Sequence, residues 1–200
     1  MSNGYPGRLI IISGPSGAGK STVVRELLAK CDLPLVLSVS ATTRPPRPGE
    51  QDGVQYFFLS KDEFSQRKLA NEFLECKEVF GRGHWYGTLQ SQVATGLEAG
   101  KWVILEIDVQ GATTILENKT FNPISLFIHP GNTDELEKRL RLRRTEDEDA
   151  IAARLETSVS EMQFMHRYQY EIINGSVEVA VAEICQILKD QKEKQACSKN

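Results

Sequence analysis

Gly14-Pro15-Ser16-Gly17-Ala18-Gly19-Lys20-Ser21 fits GxxxxGK[ST] at every fixed position. Three glycines let backbone N–H groups turn inward around phosphate oxygens, and a helix that follows adds the positive end of its dipole. Lys20 brings a mobile cation to β- and γ-phosphates, and the Ser21 hydroxyl is a ligand for Mg²⁺. A glycine-rich turn that only caps a helix is the plain alternative; the complete motif, between an apolar run and a helical one, argues for nucleoside triphosphate binding. A second group is cationic. Arg44 and Arg47 lie three apart in a stretch stiffened by Pro45, Pro46 and Pro48. Two guanidinium forks on a rigid loop suit a dianionic phosphate monoester. A solvated basic turn is the plain alternative there.

These groups need a frame. Arg8 to Ser13 is a continuous apolar run ending at glycine, which predicts a buried strand of a parallel sheet. Lys20 to Lys30 carries Val23, Val24, Leu27 and Leu28 on one stripe, an amphipathic helix. Leu35 to Ser40 reads as a second strand, Thr42 to Gly53 as irregular, and Gln55 to Leu59 as a strand. Ser60 and Glu63 form a capping box that opens a short helix. Phe73 to Phe80 and Trp85 to Gly87 read as short strands around a turn at Gly81 and Gly83. Thr88 to Ala99 reads as a helix closed by Gly100. A strand at Trp102 to Ile107, a helix at Gln110 to Glu117 and a strand at Ile124 to Ile128 follow. Asn132 with Glu135, and Thr145 with Glu148, are two further capping boxes, each starting a helix. Tyr170 to Ile173 is a last strand. Val177, Val181, Ile184 and Leu188 form the stripe of a final helix, with a polar tail from Lys189 expected to fray.

Alternating strands and helices predict an α/β fold with a mostly parallel sheet flanked by helices. One domain over 1–200 is expected. Its core covers 8–40, 90–131 and 169–195, a small inserted lobe about 41–89, and a helical lid about 132–168. Composition agrees. The chain has 200 residues, 40% of them hydrophobic, and a net charge of −3. A pI near 5.7 argues against a general nucleic-acid binder. Aliphatic runs such as Leu9-Ile10-Ile11-Ile12 are far too short to span a bilayer, and Met1 to Gly7 lacks the apolar stretch of a secretory leader. Cys31, Cys76, Cys185 and Cys197 are scattered without metal spacing, as are His84, His129 and His166. Reduced thiols, a cytoplasmic location and no structural zinc are expected.

A phosphate loop alone leaves a motor, a helicase, a switch GTPase or a small-molecule kinase. The chain is small for the first two, and it lacks the NKxD signature of the third. Ser38-Val39-Ser40-Ala41-Thr42-Thr43-Arg44-Pro45-Pro46-Arg47-Pro48-Gly49-Glu50 resembles the SVSxTTRxPRxGE signature of guanylate kinases. The resemblance continues through Gly53, Tyr56-Phe57-Phe58, Phe73-Leu74-Glu75, Tyr86-Gly87-Thr88 and Leu105-Glu106-Ile107-Asp108-Val109-Gln110-Gly111. It goes on through Arg139-Leu140, Arg143, Arg154-Leu155 and Ile172-Ile173-Asn174, so that it runs from Arg8 to Leu188. It implies a P-loop kinase core and transfer of the γ-phosphoryl of ATP to GMP with Mg²⁺, a step of purine nucleotide metabolism; use of dGMP stays open. It places Arg44, Arg47, Tyr56 and Tyr86 on the GMP phosphate. Glu75 and Asp108 fall on the guanine edge, with Ser40 and Thr88 as hydroxyl partners. Guanine offers N1–H and a 2-amino group beside O6, and a carboxylate is the complementary acceptor. Arg139, Arg143 and Arg154 match lid arginines around ATP, and Asn174 falls toward its adenine. Lys20, Arg44, Arg143 and Arg154 are thereby the candidate catalytic residues. Ser21 is the direct metal ligand, with Glu106 and Asp108 in the outer shell; for Glu106 a structural role stands beside that one. Arg141 and Arg144 are read as surface residues, Tyr168 and Tyr170 as packing. Monomer and homo-oligomer both stay open.

Three departures from the family pattern stand out. Leu142 and Arg144 replace lid-segment glycines, which predicts a stiffer hinge. The turn from Gly81 to Tyr86 is longer than usual by about two residues. Gly175-Ser176 replaces a pair of acids. Two rivals are a related ribose bisphosphate kinase, which should lack the guanine-reading set, and a non-catalytic phosphopeptide-binding module, which usually has a damaged phosphate loop.

Overall fold

The first strand, β1 (Arg8–Ser13), has only its first residue partly exposed, as an apolar run between two neighbours must. The computed structural model describes residues 6–79, 83–118, 121–141 and 148–197. After β1 the chain turns into α1 (Lys20–Lys30), which buries Val23, Val24 and Leu27. Then come β2 (Leu35–Leu37), β3 (Ala41–Thr42), β4 (Phe57–Phe58), α2 (Lys61–Leu69), β5 (Phe73–Val79), β6 (His84–Leu89) and α3 (Gln90–Glu98). The remainder is β7 (Trp102–Glu106), α4 (Val109–Glu117), β8 (Ile124–His129), α5 (Thr133–Arg141), α6 (Glu148–Met162), a 3₁₀ turn at Met165–Arg167, β9 (Tyr170–Ile173) and α7 (Val177–Cys197). A five-stranded sheet has the order β2-β7-β1-β8-β9, and a four-stranded sheet the order β4-β3-β6-β5. The fold is α/β, with parallel pairing that runs from Leu126 opposite Tyr170 to His129 opposite Ile173.

The chain divides into two compact units. One takes in Val36–Leu105 and Gln110–Pro123; the other takes in Ile11–Leu35, Glu106–Val109 and the chain from Ile124 onward. In the first, β3 pairs with β4 in parallel and with β6 antiparallel, and β5 and β6 form an antiparallel pair with an irregularity between Phe73 and Glu75. Ser60 caps α2 reciprocally with Glu63, as the spacing predicts. That cap sets Phe64 against Phe73, with ring centroids 4.5 Å apart, and Phe57, Leu59, Cys76 and Trp85 close around it. In the second unit Val23, Val24 and Leu27 of α1, Leu126 and Phe127 of β8, and Ile184 and Leu188 of α7 are all buried.

Several boundaries differ from the sequence reading for local reasons. The strand expected to Ser40 stops at Leu37, and by Ser40 the backbone carbonyl accepts from Phe57 N–H. Thr42, expected irregular, belongs to β3. Thr88 and Leu89, expected to open a helix, stay in β6, where they pair with Glu75 and Phe73. The tail beyond Lys189 does not fray at once. α7 continues to Cys197, and Gln191 donates to the Tyr170 hydroxyl at 2.7 Å. The capping box at Thr145 and the turn at Gly81 lie outside the described residues.

Phe64 is 2% exposed. Its replacement in Phe64→Ala is expected to lower the unfolding free energy by about 3–5 kcal/mol in urea. A loss below about 1 kcal/mol would mean that the cluster collapses around the void or contributes little.

Candidate active site

The phosphate loop follows from backbone conformations that side chains resist. Gly14, Gly17 and Gly19 have φ of 139°, 89° and 85°. Space is also short. A Cβ on Gly14 would collide with the Ile128 carbonyl, and one on Gly19 would stand 2.7 Å from Asn174 Nδ2. Gly19 is the N-cap of α1 and supplies no side-chain cap, so the loop presents the positive end of the helix dipole. Lys20 donates from Nζ to the carbonyls of Gly14 (2.6 Å) and Pro15 (3.0 Å), so the ammonium lies over its own loop. Ser21 donates from Oγ to Glu106 Oε1 at 2.5 Å.

Three further residues fasten this loop. Asn174 is 3% exposed, and its Nδ2 donates to the Ala18 carbonyl at 2.8 Å. Its own carbonyl accepts from Arg139 NH2 at 2.8 Å, while Arg139 Nε donates to Glu135 at 3.0 Å. Asn132 accepts from Glu135 N–H, so the predicted cap starts the helix that carries Arg139. Arg154 donates to Ser16 Oγ at 2.6 Å, and Ser158, one turn further along α6, donates to the Ser16 carbonyl at 3.3 Å. The Asn174 N–H donates to the His129 carbonyl at 2.7 Å. Gly131 N–H donates to His129 Nδ1, so Nε2 carries the proton that reaches Glu171, 2.8 Å away. Arg141 pairs with Glu148 and Glu137 at the surface, and those carboxylates hold its pKa above the usual value. Arg143 and Arg144 lie outside the described residues.

Asp108 follows β7, half-buried, two residues after Glu106. Burial pushes the Tyr168 phenol up to about 12; Ser13 works against the rise and the carboxylates of Asp108 and Glu161 add to it. Tyr168 therefore stays a neutral packing residue, its ring edge-on to Phe127.

The other candidates lie on the four-stranded sheet and its loops. Thr42 Oγ1 donates to the Trp85 carbonyl and accepts from Arg44 N–H, and Thr43 Oγ1 accepts from Trp85 N–H. These bonds fix where the arginine loop leaves the sheet. Arg44 then meets Glu50 as a fork, NH1 and NH2 each 2.9 Å from a carboxylate oxygen. Glu50 also accepts from Arg47 N–H at 2.7 Å. The Arg44 guanidinium is 5.5 Å from the centre of the Tyr56 ring, and Tyr56 is edge-on to Tyr86 at 5.7 Å. Glu50 first, then Tyr86, hold the Arg44 pKa above its ordinary value. The sequence reading took Arg44 and Arg47 as two forks. In the structure one fork is engaged by Glu50, and Arg47 is exposed. Ser40 is half-buried beside β4 and accepts Phe57 N–H through its carbonyl. Thr88 donates to Glu75 Oε1 at 2.7 Å inside the sheet, and Glu75 is only 9% exposed. Taken alone, a glutamate in LECKEVF would be expected to face solvent. The structure buries it.

Sequence reasoning missed Glu50, Ser158 and the two threonines. Glu50 and Thr42-Thr43 stood inside the quoted signature but received no role. Arg154 and Ser158 had a readable signal in their spacing of four, which stacks them on one helix face.

Comparison with known proteins points to one family. Residues 6–191 match the family model described as "Guanylate kinase". A guanylate kinase of Rhodopirellula baltica is 64% identical over 98% of this chain and 94% of its own length. One from Mesoplasma florum is 48% identical over 93% of this chain, which spans 62% of that relative. Among solved structures, the guanylate kinase of Anaplasma phagocytophilum superposes with a TM-score of 0.73 at 32% identity, covering 92% of this chain and 86% of that one.

Arg44 first, then the Arg47 N–H, hold the Glu50 carboxyl below its ordinary value. The fork therefore contributes fully above the usual carboxylate range and is lost as pH falls through the depressed value. A carboxyl-carbon NMR titration is expected to place the Glu50 midpoint below that of exposed glutamates, and Arg44→Lys to move it up. An ordinary midpoint in the unsubstituted protein would contradict the fork.

Proposed function

The chain belongs to the guanylate kinase family and transfers the γ-phosphoryl group of ATP to GMP, and we propose that the residues described above divide that work. ATP lies on the phosphate loop, its β- and γ-phosphates met by the N–H groups of the stretch from Gly14 to Ser21 and by the Lys20 ammonium. Asn174 serves ATP toward its adenine end and also fastens the loop, its Nδ2 donating to the Ala18 carbonyl. Arg139 braces Asn174, and Arg154 reaches the loop through Ser16. In this reading Arg143 joins Arg154 in placing positive charge around the transferred group, where in-line phosphoryl transfer needs it. The nucleophile is a GMP phosphate oxygen, already anionic at neutral pH. It bonds to the γ-phosphorus as the bond to the bridging oxygen breaks and ADP leaves, so no protein base is required.

Glu75 reads the guanine, and its burial is the observation that carries the proposal. It is a carboxylate at 9% exposure with Oε1 held by Thr88. A carboxylate accepts at both oxygens, about four lone-pair sites in all, and so can also meet N1–H and the 2-amino group. Adenine offers neither donor and would desolvate the carboxylate without exchange, which is how a polar site rejects the wrong base. Ser40 and Asp108 complete the base-reading set. Tyr56, Tyr86, Arg44 and Arg47 take the monophosphate. GMP and dGMP both carry the edge that this set reads. The stretch about 41–89 acts as the GMP lobe and about 132–168 as the lid, with 8–40, 90–131 and 169–195 as the core.

The family's reaction runs with a divalent metal. Among the described residues no cluster of three His, Cys, Asp or Glu side chains could hold one. The oxygen donors Ser21 and Glu106, 2.5 Å apart, with Asp108 two residues on, fit Mg²⁺ bound jointly with nucleotide phosphates. Bound there, the ion neutralises phosphate charge. The free thiols of Cys31, Cys76, Cys185 and Cys197 support a cytoplasmic location. Among the described residues no helix is long and apolar enough to cross a membrane.

Glu75→Gln keeps the shape and puts an amide where the acceptor was. It is expected to raise the KM for GMP by about a hundred-fold and to leave the KM for ATP within about two-fold. Equal losses on both substrates would make Glu75 a structural residue and sink the proposal.

A further inference from the structure

Gly111 ends the motif Leu105 to Gly111. It is the third residue of α4 and is buried. A glycine inside a helix is less favourable than alanine, so the position needs a reason. The reason is a close approach. A Cβ on Gly111 would stand 2.7 Å from Glu75 Oε2, 3.1 Å from its Cδ and 3.5 Å from its Cγ. The first of these distances is too short for a carbon against an oxygen, so the carboxylate would have to move.

Glu75 has little room to retreat. Thr88 donates to Oε1 at 2.7 Å from the neighbouring strand, and Glu75 and Thr88 are register partners. The backbone of Glu75 is confined too, because β5 pairs with β6 on both sides of it, Phe73 opposite Leu89 and Cys76 opposite Gly87. The two carboxylate oxygens are thus set from two sides. Oε1 is held by a hydroxyl, and Oε2 rests on the first turn of α4, near the positive end of that helix dipole.

We propose that Gly111 is a positioning residue for acceptor specificity: its missing side chain leaves the seat in which the Glu75 carboxylate lies at the angle that accepts both donors of guanine. This rests on the reading of Glu75 as the guanine reader. A methyl group at 111 tilts the carboxylate, so that one of the two acceptor bonds is strained. The 2-amino contact and the N1–H contact no longer form together.

The test is a double-substitution cycle read by calorimetric binding of GMP, IMP and ATP to the full chain. IMP keeps N1–H and O6 but lacks the 2-amino group. Gly111→Ala is expected to weaken GMP by about ten-fold and IMP by less, leaving ATP within about two-fold. In a Glu75→Ala background, where no carboxylate is left to displace, the same substitution is expected to change GMP binding by less than about two-fold. An equal loss of GMP in both backgrounds overturns the role of Gly111 and leaves the Glu75 reading standing. Unchanged GMP binding in Glu75→Ala alone removes that reading, and the role of Gly111 with it. A matching loss of ATP binding, or failure of Gly111→Ala to fold, assigns the glycine to the fold and also overturns the proposal.

Discussion

A ring of backbone N–H groups can hold a triphosphate only if the backbone is kept turned inward, and such a backbone does not stay open unaided. The loop from Gly14 to Ser21 is shaped by three positive φ angles, by a bond from Ala18 N–H to the Pro15 carbonyl and by neighbours that fix its other side. Asn174 takes Ala18, Arg154 and Ser158 take Ser16, and the Ile128 carbonyl leaves no space for a side chain at 14. The groups that hold the loop come from β8, from α6 and from the residue after β9. Those elements are built as their own patterns require, by apolar runs and helix caps. Their ends then supply the polar groups that the loop needs. Rigidity is what makes the cradle useful, because dipoles already oriented need no reorganisation when charge arrives.

The same logic governs the other unit. Glu75 is a charge inside a sheet, and Arg44 is a charge on a loop. Each is held by named bonds before any base or phosphate is considered. Thr88 fixes one, Glu50 and the tyrosines fix the other. A buried carboxylate favours a ligand that brings donors to it and disfavours one that cannot. Specificity in this account comes from the cost of the wrong base more than from the attraction of the right one.

Much of this was legible in the sequence, for identifiable reasons. β1, α1, the Ser60 cap and β9 are set by local patterns, and the structure keeps them. The phosphate loop is a local backbone problem, so its residues announce themselves. The arginine loop was readable from its forks and prolines, whereas Glu75, Thr88 and Asp108 were found through family resemblance, since their meaning depends on strand pairing distant in sequence. Glu50 stood in the signature without a role, because its fork with Arg44 is a contact across a loop that spacing does not show. Gly111 was legible only as a glycine in a motif; the carboxylate that needs its empty space is thirty-six positions earlier. The end of β2 and the start of α3 were misplaced because pairing with a second sheet overrode local propensity at Ser40, Thr88 and Leu89.

The central claim is that a phosphate cradle and a carboxylate base reader act in one reaction. The direct test is ADP formation from ATP with Mg²⁺ while GMP, AMP, CMP and UMP are offered in turn. The account predicts rapid turnover with GMP and almost none with the other three. Comparable turnover with AMP would contradict the role of Glu75, and tight GMP binding without turnover would contradict the catalytic reading of the phosphate loop.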